Sequence, residues 1–234
     1  MTRFANSLAV AVLAASIAVA QPAHARRVIV FGLDETGSYN QRERGVAAVC
    51  RIVAEMQLGD VLYVRRVTDS SYLDNAAILR LVVPDAGVEP KNKFDPRARA
   101  LWKDRLRQTQ EAKAKAMDVL QRLARVQSPK TDVWGFFAAA ADRIAAECGR
   151  PGGTDLFVVI IASDMRDNVN RKAVFDLHGA RVLVTAFQNP ADPAAAAKTR
   201  AQWTTALVNE RRAATVQFIS PDMPIALPKE ESHE

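Results

Sequence analysis

The stretch that decides the fold is Val28-Ile29-Val30-Phe31-Gly32-Leu33, which is followed directly by Asp34-Glu35-Thr36-Gly37-Ser38. The unbroken apolar run contains several β-branched residues and predicts a strand that is buried on both faces of a parallel sheet. The spacing Asp34-x-Thr36-x-Ser38 then gives one carboxylate and two hydroxyls on a tight turn. Gly37 allows the backbone to fold so that all three groups point at one spot.

Two later segments add oxygen atoms after similar signals. Leu156 to Ala162 is a second apolar run, and it ends at Ser163-Asp164, while Thr131 opens a predicted helix that covers 132–147. In open α/β sheets, ligands bind outside the carboxyl ends of the strands, so we expect Asp34 and Asp164 at the same edge. A set of ligands made only of oxygen suits Mg²⁺ or Mn²⁺ better than it suits zinc or copper.

The rest of the chain alternates predicted strands with predicted helices. The further strands are expected at 61–67, 76–83, 181–187 and 215–219, and the further helices at 40–56, 97–126 and 193–212. This alternation predicts an α/β fold, a doubly wound, mostly parallel sheet with helices on both faces. The short turn Thr68-Asp69-Ser70-Ser71 favours an antiparallel connection, and therefore one antiparallel edge strand.

The order, types and placement of five residues resemble the metal-ion-dependent adhesion site (MIDAS) of von Willebrand factor A (VWA) domains. These residues are Asp34, Thr36, Ser38, Thr131 and Asp164. The resemblance covers nearly the whole mature chain, residues 26–221, as a VWA-like domain. It implies that the strands before the two aspartates are neighbours, that the hydroxyls bind a divalent ion directly, and that one or both aspartates act through water.

The sequence also departs from the family pattern. Thr36 stands where the family more often has serine, and Ser163-Asp164-Met165 stands where Thr-Asp-Gly is commoner. Taken singly, each of the five residues has a structural explanation, as a turn or helix cap. Three further acidic residues near the same edge in sequence could tune it, but we expect them to be solvated loop charges. They are Glu35, Asp132 and Asp167.

The function that follows is a non-enzymatic module that binds a protein partner through the metal, with an acidic residue of the partner completing the ion's shell. After the leader, the histidines are His178 and His233, so no histidine base is expected near the site. One alternative is a Mg²⁺-dependent phosphoryl-transfer enzyme with Asp34 as nucleophile, although Thr36 fills the position where such enzymes want a second aspartate. The other alternative is a structural or assembly protein with a vestigial metal site.

The chain ends and the composition bear on the location. Residues 1–25 have a basic start, a short apolar stretch and the A-x-A pattern of Ala23-His24-Ala25, which predicts a cleaved signal peptide and a periplasmic or extracellular protein. Residues 222–234 form a polar tail. The net charge is +6 at pH 7, but basic and acidic residues are interspersed, so we do not expect nucleic-acid binding. No later stretch approaches the ~20 apolar residues that a transmembrane helix needs, so we do not expect stable membrane insertion.

Cys50 and Cys148 are the two cysteines of the chain. An oxidising compartment favours their pairing. The predicted topology places their helices on opposite faces of the sheet, each about 10 Å from it, which is beyond disulfide reach. We therefore expect two unbridged, mostly buried thiols, with a disulfide between the helix ends as the alternative.

Overall fold

A computed structural model describes residues 25–84, 89–90, 95–148, 155–171, 173–188, 192–220, 223 and 225–227. Of the predicted signal peptide, residues 1–25, only Ala25 belongs to this part of the chain. Of the predicted polar tail, residues 222–234, only 223 and 225–227 belong to it. Both predictions therefore lie almost entirely outside the described residues.

The fold is built on a six-stranded sheet with the order β3-β2-β1-β4-β5-β6. All neighbouring strands run parallel except β2 and β3, which are antiparallel. This is the predicted doubly wound, mostly parallel sheet with one antiparallel edge strand. The strands are β1 (Arg27–Asp34), β2 (Val61–Val67), β3 (Ala77–Val82), β4 (Leu156–Ala162), β5 (Arg181–Thr185) and β6 (Thr215–Phe218).

Strands β1 and β4 lie at the centre of the sheet because they are its most continuously apolar segments. Every residue of β1 is buried, and so are the last five residues of β4. From β1 the chain winds outward to β2 and β3, and it then crosses back to β4 and winds outward the other way. The strand order therefore reverses between β1 and β4, and a crevice opens at their carboxyl ends.

Helices cover both faces of the sheet and complete two separate apolar clusters. On one face lie α1 (Arg42–Glu55) and α2 (Pro96–Gln121), and on the other lie α3 (Val133–Glu147) and α4 (Pro193–Thr205), which continues as a π turn to Glu210. The predicted cap of α4 is confirmed, since Asp192 accepts a hydrogen bond from the Ala194 amide. None of the described helices is long and apolar enough to span a bilayer.

Helix α2 ends earlier than predicted. The sequence favours a helix over 97–126, but α2 stops at Gln121, and the described chain from Leu123 to Gln127 is not helical. The reason is that this segment pairs with the loop after β1. The Leu123 carbonyl accepts a hydrogen bond from Arg42, and the Val126 amide donates to the Glu35 carboxylate. These contacts replace the hydrogen bonds that would continue the helix.

The two cysteines lie on opposite sides of the sheet, as predicted. Cys50 packs against the cluster that contains α1, whereas Cys148 packs against the cluster that contains α3. Both thiols are free and half-buried, so they are less buried than expected. Burial raises the pKa of each thiol above its ordinary value.

Candidate metal centre

Two aspartates meet at the carboxyl ends of the two central strands. Asp34 is the last residue of β1, and Asp164 follows β4 by two residues. The two strands are parallel neighbours, with Leu33 opposite Ala162, so both carboxyl groups lie at the edge where the strand order reverses. Both residues are buried, Asp34 at 0% and Asp164 at 3% relative exposure. The sequence prediction that these side chains share one edge is confirmed.

Asp34 is surrounded by neutral hydrogen-bond donors. Its Oδ1 accepts hydrogen bonds from the Thr36 hydroxyl at 2.7 Å and the Thr36 amide at 2.9 Å, and its Oδ2 accepts one from the Ser163 hydroxyl at 2.6 Å. It makes no ion pair with any described residue. Burial raises the pKa of Asp34 to about 6 in spite of these hydrogen bonds, and the nearby charge of Asp164 adds to the increase.

One carboxylate oxygen of Asp164 has no donor among the described residues. Its Oδ1 accepts a hydrogen bond from the Arg166 amide at 3.0 Å. Its Oδ2 is buried and has no hydrogen-bond partner in the part of the chain that the structure describes, and the Arg166 Nε atom, on a side chain that is 64% exposed, lies 4.0 Å away. Burial raises the pKa of Asp164. A buried polar atom without a partner is rare in folded proteins, and a cation bound at this edge would satisfy it.

Hydroxyl groups supply the remaining predicted ligands. Thr36 is buried and donates its hydroxyl proton to Asp34, so the lone pairs of its oxygen remain available. Thr131 is also buried, whereas Ser38 lies on the exposed turn of the loop after β1. In the described part of the chain, the hydroxyls of Ser38 and Thr131 have no hydrogen-bond partner. The structure thus brings Asp34, Thr36 and Asp164 together and leaves two further hydroxyls on adjoining loops.

Thr131 does not cap the helix that follows it. Asp132 is the N-cap of α3, since its Oδ1 accepts a hydrogen bond from the Gly135 amide at 2.8 Å. A side chain at position 135 would collide with this cap, because a Cβ atom there would lie 2.0 Å from Asp132 Oδ2. Asp132 is fully buried and pairs with Arg171 at 2.9 Å, so our expectation of a solvated loop charge is wrong.

The loop after β4 is tied to the start of α3. The Asn168 side-chain oxygen accepts from the Thr131 amide at 2.7 Å, and the Asn168 amide donates to the Thr131 carbonyl at 3.0 Å. Asp167 Oδ1 accepts from the Val133 amide at 2.8 Å, so Asp167 serves as a second, half-buried cap and not as a solvated charge. These bonds fix Thr131 relative to the loop that carries Asp164.

Glu35, between two predicted ligands, turns away from them into a buried ion cluster. Its carboxylate accepts from Arg42 Nε at 2.7 Å and Arg42 Nη2 at 3.1 Å, and Arg66 Nε lies at 3.8 Å. Glu35 is fully buried, which corrects the expectation that it is a solvated loop charge. The cluster holds the loop after β1 against the segment that leads to α3, because the Ser128 amide also donates to the Glu35 carbonyl at 3.2 Å.

Met165 takes the backbone conformation for which glycine is favoured. Its φ is +59°, in the left-handed region, and it occupies the position where the VWA pattern commonly has glycine. The Met165 amide donates to the Ser163 hydroxyl at 2.9 Å, and the Trp203 indole donates to the Met165 carbonyl at 2.9 Å. These bonds, together with burial of the side chain, hold the conformation against its steric cost.

The donor set decides which ion fits. In the described residues, no three His, Cys, Asp or Glu side chains are placed to hold a metal by themselves. A metal at this edge therefore depends on hydroxyls in addition to the two carboxylates, which is an all-oxygen set suited to Mg²⁺ or Mn²⁺. Ser163 belongs to this environment but was not predicted as part of it. The available signal was its hydroxyl at the end of β4, next to Asp164.

No protein-family model matches the sequence, and no curated protein matches it. Among solved structures, a von Willebrand factor type A protein from Catenulispora acidiphila is similar, with 16% identity and a TM-score of 0.46 over 83% of this chain. An aerotolerance-related membrane protein from Bacteroides fragilis has 13% identity and a TM-score of 0.40, covering 71% of this chain and 69% of its own. BatB from Bacteroides thetaiotaomicron has 13% identity and a TM-score of 0.35, and the match covers 69% of this chain and 65% of BatB. The chain spans 39% of the length of the Catenulispora protein.

Proposed function

We propose that this chain is a VWA-like, non-enzymatic module that binds a protein partner through Mg²⁺ or Mn²⁺ at a MIDAS-like site. The proposed ligands are Asp34, Thr36, Ser38, Thr131 and Asp164. The observation that carries the proposal is the pair of buried carboxylates at the reversal of strand order. Among the described residues, one of them has no ion-pair partner and the other has a carboxylate oxygen without a donor. Such a pair is costly in itself, and a divalent cation removes the cost.

The charges at the site explain why a partner would bind. A bound ion supplies positive charge at the sheet edge, two carboxylates neutralise it, and the hydroxyls add no charge. The ion then retains affinity for one more anionic oxygen, which a partner's aspartate or glutamate can provide. In this chain Thr36 orients its oxygen by donating its proton to Asp34, and the bonds of Asn168 to Thr131 hold the adjoining loop in place.

The phosphoryl-transfer alternative gains no support from the surroundings of Asp34. A nucleophilic carboxylate must reach the phosphorus atom of its substrate, whereas Asp34 is fully buried and both of its oxygens accept hydrogen bonds. The vestigial-site alternative differs from our proposal in one measurable property, which is whether the protein binds the ion at all.

We further propose that the protein works in the periplasm or outside the cell, because the sequence of residues 1–25 has the pattern of a cleaved leader.

The test is a calorimetric titration of the purified protein with Mn²⁺ and with Mg²⁺. We expect one binding site, and we expect Asp34→Ala to abolish binding while far-ultraviolet circular dichroism shows a retained fold. Asp118→Ala is the matched control, since Asp118 is an exposed aspartate on α2 that pairs with Arg122. Wild-type protein that binds neither ion would contradict the proposal and favour the vestigial site.

A further inference from the structure

Helix α2 is longer than the part of it that packs on the domain. Arg42, at the start of α1, donates a hydrogen bond to the Leu123 carbonyl just after α2. Lys113 donates to two carbonyls at the end of α1, those of Ala54 and Met56. The two helices are therefore antiparallel, and the residues of α2 that precede Lys113 continue past the end of α1.

The first half of α2 lies outside the buried core. The α2 side chains that pack against the apolar cluster of this face begin at Ala112. Residues 96–108 are all described by the structure, and none of them is buried. We call residues 96–108 the outer half of α2, which is about 20 Å of helix. Because α1 ends beside the start of β1, where Arg27 donates to the Glu55 carbonyl, the outer half lies at the amino edge of the sheet, opposite the candidate metal centre.

Helix α2 carries most of the net positive charge of the chain. It contains seven Lys/Arg and three Asp/Glu, a net charge of +4, whereas the whole chain has 32 and 26, a net charge of +6. If the segment before the helix is included, residues 85–121 contain nine Lys/Arg and six Asp/Glu, and a net charge of +3 remains. The outer half itself has five Lys/Arg and one acid, Asp104.

Most cations of the outer half are not neutralised. Arg107 pairs with Asp104 and with Glu111. The other four make no ion pair with any residue that the structure describes. They are Arg97, Arg99, Lys103 and Arg105. Their charges are therefore available to an anionic partner.

The described segments that adjoin the outer half supply three exposed acids, Glu55, Glu89 and Asp95. Asp95 caps α2, because its Oδ1 accepts a hydrogen bond from the Ala98 amide at 3.0 Å. Glu55 lies one helix turn after Arg51, which is also exposed. These acids are fewer than the cations of the outer half, so an excess of positive charge remains.

The cations of the outer half flank an apolar row. Residues four apart on a helix lie on the same face, one above the other. A half-buried row consists of Ala98, Trp102 and Leu106. The row on one side of it consists of Arg97, Leu101 and Arg105, and the row on the other side consists of Arg99, Lys103 and Arg107. Asp104 lies in the remaining row, opposite the apolar one, and Leu101 is 54% exposed.

From this pattern we propose that the outer half of α2 binds the surface of a membrane that contains anionic lipids. An apolar row between basic rows is typical of helices that lie in the plane of a membrane interface. The long cationic side chains reach the headgroups while the apolar side chains enter the boundary with the acyl chains. The outer half is also convex, so a flat and extended array of anions can meet both basic rows at once.

This inference goes beyond the proposed metal-dependent function and does not rest on it. The helix would lie on the bilayer without crossing it. Because the outer half and the candidate metal centre are at opposite edges of the sheet, binding at the outer half would direct the metal centre away from the lipid surface.

The experiment is sedimentation of the mature chain, residues 26–234, with lipid vesicles in EDTA, so that neither the leader nor a metal contributes. One set of vesicles is neutral phosphatidylcholine, and the other contains about 30% phosphatidylglycerol. In about 0.1 M salt we expect at least about 10-fold stronger partitioning onto the anionic vesicles. In about 1 M salt, where the Debye length is about 3 Å, that preference should disappear.

Trp102 provides a direct readout of the outer half. The other two tryptophans, Trp134 and Trp203, belong to the apolar cluster under α3 and α4. We expect the tryptophan emission to shift to shorter wavelength when anionic vesicles are added. Trp102→Phe should remove this shift and still sediment with the vesicles.

Paired substitutions along the one helix assign the binding. Lys103→Glu should weaken binding to anionic vesicles by about 10-fold, and its matched control is Lys115→Glu, at an exposed lysine in the part of α2 that packs on the domain. Leu101→Gln should weaken binding by about 3-fold, and its matched control is Val119→Gln, at a side chain that is 45% exposed. Circular dichroism checks that each variant keeps its fold.

The outcomes either support or overturn the assignment. Equal partitioning onto the two kinds of vesicle, no partitioning onto either, or Lys103→Glu behaving like Lys115→Glu would overturn it. Vesicle binding without an emission shift that depends on Trp102 would place the contact elsewhere on the molecule. If poly-glutamate or a DNA duplex binds in a manner that Lys103→Glu weakens, and vesicles do not bind, the occupant is an acidic chain and not a lipid surface.

Discussion

The two ends of strand β1 differ in how their buried charges are compensated. At its start, Arg27 donates to Asp60 from its backbone amide, its Nε and its Nη2, and Asp60 also accepts from the Gln57 amide at 2.6 Å. At its end, Asp34 is equally buried, but within the described residues its donors are two hydroxyls and one amide. Both ends lie in the same sheet, so the difference comes from the side chains that surround each charge.

This difference is consistent with our proposal that the start of β1 is organised for stability and its end for binding. A buried ion pair with satisfied hydrogen bonds is self-sufficient, whereas removal of one partner leaves an uncompensated charge. Among the described residues, Asp34 has no ion-pair partner, and Asp164 has the exposed Arg166 at 4.0 Å. Proteins retain such costly arrangements chiefly at functional sites, and this is the physical reason for proposing a metal at the carboxyl edge.

The largest effect is expected from breaking the pair at the start of β1. Asp60→Ala leaves the Arg27 guanidinium buried without its carboxylate and removes the acceptor of the Gln57 amide. We expect the free energy of unfolding to fall by about 3–5 kcal/mol, measured by urea denaturation in EDTA. Asp142→Ala, at an exposed aspartate on α3, is the control. A loss as small as that of the control would mean that this pair does not stabilise the fold.

A smaller loss is expected for Glu35→Gln, at the same end of β1 as Asp34. The glutamine keeps the shape and can accept one hydrogen bond from Arg42, but it removes the charge that pairs with two arginines. We expect the free energy of unfolding in EDTA to fall by about 2–3 kcal/mol. An unchanged or increased free energy of unfolding would show that position at the carboxyl edge, and not charge pairing, decides whether a buried acid stabilises the fold.

The elements that were predicted correctly are those specified by local pattern. Strands β1 and β4 are unbroken apolar runs, and the side chains that end them must meet because the strands are parallel neighbours. The end of α2 could not be predicted in this way. The residues after Gln121 are compatible with a helix, and their partners Arg42 and Glu35 are 81 and 91 residues away in sequence.

Glu35 and Asp132 illustrate the same limit within the site. Each is a charged residue in a polar loop, for which exposure is the usual expectation. Each is fully buried because an arginine from another segment reaches it, Arg42 in one case and Arg171 in the other. Pattern therefore predicted the positions of Asp34 and Asp164, whereas the pairing of the surrounding charges is a tertiary property.

An effect of opposite sign is expected for Asp34→Asn. The pKa of Asp34 rises from 3.8 to about 6 in the folded protein, so between these values the folded state binds more protons than the unfolded state. The free energy of unfolding of the metal-free protein should therefore decrease as the pH rises from about 4 to about 6, and the raised pKa of Asp164 acts in the same direction.

The asparagine variant lacks the contribution of residue 34 to this pH dependence. Above pH 6 in EDTA we expect it to be more stable than the wild type by about 1–2 kcal/mol, and below pH 4 the two should agree. Saturating Mg²⁺ should stabilise the wild type and leave the variant unchanged. Urea denaturation across this pH range tests both statements. A variant less stable than the wild type at every pH would mean that the Asp34 carboxylate is stabilising in itself.

The smallest effect is expected for Ser163→Ala, which changes the neighbour of Asp34 and keeps its charge. The serine hydroxyl donates to Asp34 Oδ2 and accepts from the Met165 amide, so the variant removes a donor from a buried carboxylate that has few. At pH 7.5 in EDTA we expect a loss of about 1 kcal/mol, and a further rise in the pKa of Asp34 should shift the pH dependence upward. The Asp34→Asn, Ser163→Ala double variant is the informative control. If the serine acts through the carboxylate, Ser163→Ala should lower the free energy of unfolding less when residue 34 is already neutral. Equal losses in both backgrounds would mean that Ser163 only caps the loop after β4.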